Sequence, residues 1–227
     1  MTLSHRLELL LGLSLTLSFF SFGKKVLYPI QLFTTWLHEC CHAITALILG
    51  GHSIHITISS DGSGLTHFSI PKGKLRHGII ASSGYVGASL CGCLIFALSM
   101  GTEKLPKYFN IQALVFCLCI LIILSLTFWI RNFFGFVSVL LLGAALASLN
   151  YPPMKQYSQE VLLFIGIQTA LNAAFDIRTL FSVKISKGNV SDAHTMQKLF
   201  HLPHSFWAML WLSLSFMMIY FTAKLTL

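Results

Sequence analysis

Five consecutive residues, His38-Glu39-Cys40-Cys41-His42, carry the strongest chemical signal in the chain. They spell H-E-x-x-H, and on a helix residues four apart share a face. Both imidazoles can therefore grip one metal ion while Glu39 sits beside it. A zinc ion so held makes water nucleophilic near neutral pH, and a neighbouring carboxylate can take the water's proton and return it to a leaving amine. His38 and His42 are thus candidate zinc ligands and Glu39 the candidate general base. The plain alternative is a pair of hydrogen-bonded core histidines. Cys41, three residues after His38, is a competing soft ligand, although two small packing residues are the simpler reading of Cys40-Cys41.

A catalytic zinc takes three protein ligands and leaves a fourth position open, so one more ligand must come from elsewhere. The chain has only seven carboxylates. Glu8 and Glu103 lie near segment ends, Asp61 in a turn, and Glu160 near the start of an apolar run, which leaves Asp176 and Asp192. Counted from the starts of their runs at 1.5 Å per residue, Asp176 and the two histidines reach similar depths, which favours Asp176. Asp192 is the runner-up, because the segment that carries it would have to fold back into the bundle. Asn172 precedes Asp176 by one helical turn on the same face and is a candidate to bind substrate or orient a ligand.

The elements that must position these residues are apolar. Hydrophobic residues make up 55% of the 227 positions and charged ones 10%, with a mean hydropathy of +0.76. That composition belongs to an integral membrane protein. A span needs roughly 20 apolar residues, and seven runs qualify or nearly so: Leu7 to Phe22, Val26 to Gly50, Gly78 to Met100, Ile111 to Ile130, Phe133 to Asn150, Tyr157 to Phe181 and Phe206 to Ala223. The expected fold is an α-helical polytopic membrane protein of about seven transmembrane helices, six to eight, forming a single domain over 1–227. The first run is expected to be retained as a helix. The net charge of +8 comes from Lys and Arg scattered between runs, which argues for an anionic membrane surface and against nucleic acid. Their slight excess on the side of Arg6 predicts a cytoplasmic N-terminus in a cell or inner membrane. The six cysteines all fall inside apolar runs and read as packing residues.

Two inserts interrupt the bundle. In the first, 52–76, Ile54, Ile56 and Ile58 alternate with polar residues, Asp61-Gly62-Ser63-Gly64 supplies a turn, and Thr66, Phe68 and Ile70 resume the alternation. That pattern predicts a β-hairpin following the H-E-x-x-H helix. The second, 182–204, is polar, with a breaker at Lys187-Gly188-Asn189 and then Ser191-Asp192, able to cap a short amphipathic helix.

With these residues in place the chain resembles the site-2 protease family of intramembrane zinc metalloproteases, in its compact branch without large soluble domains. The matching features are Tyr28-Pro29, His38-Glu39-x-x-His42, Gly50-Gly51, Gly62 and Gly64, Gly84-Tyr85-Val86-Gly87, Asp176, Ser191-Asp192-Ala193, and Pro203 followed by Trp207 and Trp211. The family's Asn, Pro and Asp-Gly signature is altered, for Asn172 leads to Asp176 and Ile177 without the Pro or the Gly. The resemblance implies a zinc site within the bilayer, toward the cytoplasmic side, that cleaves transmembrane segments of other membrane proteins. Two other readings stand beside it. One is a proteolytically inactive, metal-binding membrane scaffold. The other is a transporter using His and Asp as a relay, for which no inverted repeat is visible.

Overall fold

The structure, a computed structural model, describes residues 3–100, 110–180 and 191–226. The expected breaker at Lys187-Gly188-Asn189 lies outside them, as do Glu103, Lys104, Lys107 and Lys184. Each of the seven apolar runs is helical: α1 (Leu3–Phe19), α3 (Tyr28–Ile48), α4 (Lys74–Met100), α5 (Ile111–Phe128), α6 (Phe133–Ser148), α7 (Ser158–Thr179) and α9 (His204–Thr226), with short α2 (Ser21–Val26) and α8 (Asp192–Phe200) between them. Among the described residues four helices are long and apolar enough to cross a membrane: α4, α5, α7 with the 3-10 turn that precedes it, and α9. α1 and α6 supply shorter apolar stretches. The molecule is an integral membrane protein in which four of the seven expected spans have full length and apolarity.

Local chemistry sets the ends of α3. Pro29 opens it, where a missing N–H costs nothing. At the other end Gly50 turns to φ +84°, its N–H donates to the Leu47 carbonyl at 3.1 Å, and the Gly51 N–H donates to that of Ala46 at 2.7 Å. This is a Schellman stop, which needs a residue at ease with positive φ.

The stop releases the chain into an antiparallel hairpin of β1 (His52–Ile58) and β2 (Gly64–Ser69). Its turn is held by Asp61, whose Oδ1 accepts from the Ser63 N–H and hydroxyl at 2.9 and 2.7 Å. The outer edge of β1 is closed by the α5–α6 connection. Ile56 exchanges backbone bonds with Trp129 and Arg131, and the Asn132 side chain bonds both the N–H and the C=O of Ile58. Ile56 and Ile58 thus turn their backbone groups away from β2. Their ladder partners, Thr66 and Gly64, turn theirs toward the opposite edge, because bonded and non-bonded pairs alternate along an antiparallel ladder. Among the described residues that edge of β2 is open.

The bundle packs around α4, which runs against α3, α7 and α9. A Cβ added at Gly92 would fall 2.5 Å from the Ala170 backbone, and one at Gly166 would fall 2.5 Å from that of Phe96. Small residues thus let α4 and α7 approach closely, the usual basis of helix association in lipid. The main core holds Trp36, Leu37, Ile56, Ile58, Val115 and Ile122, with the Trp36 indole donating to Ser125 Oγ at 2.9 Å. A second cluster joins α8 to the bundle: Ala193 and Met196 pack with Ala81, Ile177, Ala208 and Trp211.

Candidate metal centre

α3 delivers His38, Glu39 and His42 to one wall of a cavity of about 830 Å³ bounded by the hairpin, α4, α7 and α8. His42 is oriented from behind, since its Nδ1 lies 2.7 Å from the Ile80 carbonyl. A carbonyl only accepts, so Nδ1 carries the proton and a neutral His42 turns the Nε2 lone pair into the cavity. The Tyr85 ring packs edge-on against His38 at 4.6 Å and stacks on Trp211, which fixes the first histidine from the side.

The carboxylate that meets these rings is Asp192. Its Oδ2 lies 3.4 Å from His38 Nε2 and 3.3 Å from His42 Nε2, while the two Nε2 atoms are 3.0 Å apart. Among the described residues these three form the group able to hold a metal. Asp176, favoured over Asp192 on depth, lines the same cavity from α7 but is not part of that converging group. Depth along a helix gives a level in the membrane, not a direction across it. The fold-back that Asp192 required is made by α8. Ser191 caps it by accepting from the His194 N–H at 3.4 Å, and the buried faces of Ala193 and Met196 clamp it to the bundle.

The donor set fits a zinc ion. Bonds of about 2.0–2.2 Å in a tetrahedron give ligand edges of about 3.3–3.5 Å, close to the three separations observed. A lone pair on His42 Nε2 aimed at a second ring nitrogen and a carboxylate is unfavourable unless a cation or proton lies among them. Gly84 completes the cradle, for a Cβ there would overlap the Nε2 atoms of both histidines. Asp192 turns its carboxylate to both rings, and as an anion it is suited to a cation held among the three.

Glu39 is buried at 5% exposure and points toward the hairpin. The Thr66 hydroxyl donates to its Oε2 at 2.6 Å, and Gly64 leaves room for it, since a Cβ there would come within 2.6 Å of Cγ and Oε1. Asn172 is not among the cavity-lining residues. Its Oδ1 accepts from Gln168 Nε2 at 2.8 Å, and Gln168 in turn bonds Ser14 and Ser18 of α1. Asn172 thus belongs to a polar link between α7 and α1. Sequence reasoning passed over Thr66, Ile80 and the separate tasks of Gly64 and Gly84. The glycines were visible as motif residues, whereas a backbone carbonyl such as that of Ile80 leaves no trace in a sequence.

Comparison with known families matches residues 10–222 to a family model described as Peptidase M50B-like. No curated protein and no solved structure matches the chain.

Proposed function

The chain belongs to the Peptidase M50B-like family, a site-2 protease family, and from that premise we propose that it is a multi-pass intramembrane zinc metalloendopeptidase that cleaves transmembrane segments of membrane proteins. The observation that carries this reading is the convergence of His38, His42 and Asp192 beside Glu39 in a cavity among apolar helices. These three residues would hold zinc, which when bound supplies the Lewis acidity that activates water and polarises a peptide carbonyl.

The remaining work falls to the protein's own groups. Glu39 accepts the proton that water gives up as it attacks the scissile carbonyl, and delivers it to the amine that leaves. Apolar helix faces beside the cavity strengthen charge interactions inside it. A substrate helix must unwind first, because its carbonyls are shielded and already hydrogen-bonded. The open edge of β2 offers backbone groups at Gly64 and Thr66 to pair with the unwound segment by strand addition, and this edge faces the cavity. In this reading the N-terminus lies in the cytoplasm, the partners are membrane-protein substrates, and nucleic acid has no part.

The test is cleavage of an unwinding-prone transmembrane reporter in proteoliposomes by wild type and Glu39→Gln. Cleavage by wild type, lost in E39Q with zinc content unchanged, is the expected result. Zinc-loaded wild type that leaves a panel of such reporters intact would instead make the chain a metal-binding scaffold.

A further inference from the structure

We propose that Thr66 is a positioning residue that ties the general base to the strand on which substrate is held. The inference rests on the protease reading and concerns how Glu39 is aimed. Thr66 Oγ1 lies 2.6 Å from Glu39 Oε2 and 3.1 Å from the Glu39 carbonyl oxygen. The shorter contact is in the range of a hydroxyl donating to a charged carboxylate. It occupies Oε2 and leaves Oε1 over Gly64, in the space that a side chain at Gly64 would fill.

The main chain of the same residue completes the argument. Ile56 pairs with Thr66, donates its N–H to the Trp129 carbonyl and accepts at its C=O from the Arg131 N–H, so the N–H and C=O of Thr66 point to the open edge of β2. A strand added there pairs with the backbone of the residue whose side chain holds the base. Substrate register and base position are thereby set by one residue. The distance from paired peptide to carboxylate follows from the geometry of a single threonine rather than from two independently placed elements. Exposure alternates along β2 to match: Gly64, Thr66 and Phe68 are the half-buried positions, and Leu65, His67 and Ser69 are exposed.

The experiment uses the full chain in proteoliposomes with Thr66→Val, which keeps the shape and removes the hydroxyl, and Thr66→Ser, which keeps the hydroxyl. On the transmembrane reporter, T66V is expected to lower kcat by about 10-fold or more with KM within about twofold and zinc content unchanged, and T66S to stay within about threefold of wild type. Independently of activity, a double-mutant cycle on the thermal unfolding midpoint tests the contact itself. T66V should lower the midpoint in the wild-type background and leave it unchanged when Glu39 is Ala. Wild-type kcat in T66V, an equal fall in T66S, or additive midpoints overturns the inference. Coupled midpoints in a zinc-loaded chain that cleaves nothing count against the protease reading alone and leave the hold of Thr66 on Glu39 standing.

Discussion

His42 shows how much of the site is decided atom by atom. Its Nδ1 is committed to the Ile80 carbonyl, so only Nε2 can face His38 and Asp192, and a second helix sets the tautomer of a candidate ligand on the first. Asp192 then supplies the anion. Asp192→Ala is expected to reduce zinc from near one per chain to a small fraction, while Asp176→Ala retains it, as measured by metal analysis of detergent-purified protein. Gly84→Ala belongs beside them, because a methyl there overlaps both ring nitrogens. It should likewise lose zinc while the helical circular dichroism stays as in wild type. The H-E-x-x-H pair was legible because four-residue spacing on a helix leaves little freedom. Which aspartate meets them was not, since depth favoured Asp176 and only the fold-back of α8 brings Asp192 to the rings.

The hairpin and α8 bring the loop-borne residues to the site. The hairpin is anchored on one side by Asn132, whose amide serves both backbone groups of Ile58 at 3.1 and 2.6 Å. Asn132→Ala leaves a buried N–H and C=O without their partner, and such groups cost about 1–3 kcal/mol. A lower unfolding midpoint and slower reporter cleavage are expected, because β2 moves with β1. At the tip, the Ser63 hydroxyl and N–H hold the exposed Asp61 carboxyl below its ordinary value. A depressed carboxyl stabilises the fold above its unfolded pKa and loses that contribution as pH falls through the folded value. The turn should therefore loosen only on the acid side, and Asp61→Asn should flatten that acid limb of the unfolding midpoint against pH. Alternation at Ile54, Ile56 and Ile58 with a Gly-rich turn made the hairpin readable in advance. The cap from Asn132 was not, because its partner lies 74 positions away.

At the scale of the whole molecule, close packing of α4 on α7 joins two of the elements that line the cavity. Gly92 and Gly166 sit against backbone rather than flexible side chains, so a larger residue must push the helices apart. Gly92→Val is expected to cost about 1–3 kcal/mol, seen as a lower unfolding midpoint in detergent. It should also weaken zinc retention, because α4 carries Ile80 and Gly84. Zinc itself should act on the whole fold: a ligand bound by the native state alone raises its stability. Stripping the metal with a chelator should lower the midpoint in wild type but leave Asp192→Ala unchanged.

By itself the sequence determined the apolar helices, the hairpin, the two histidines and their glutamate, because each rests on a short-range pattern: run length, alternation, or spacing of four. Only the tertiary structure decided which aspartate joins the histidines, which edge of the hairpin stays open, and what holds Glu39. Those outcomes depend on how α8 folds back, on the α5–α6 connection meeting β1, and on a threonine reaching across 27 positions to Glu39 on α3. Contacts between distant segments follow from packing the whole bundle, and no local pattern encodes them.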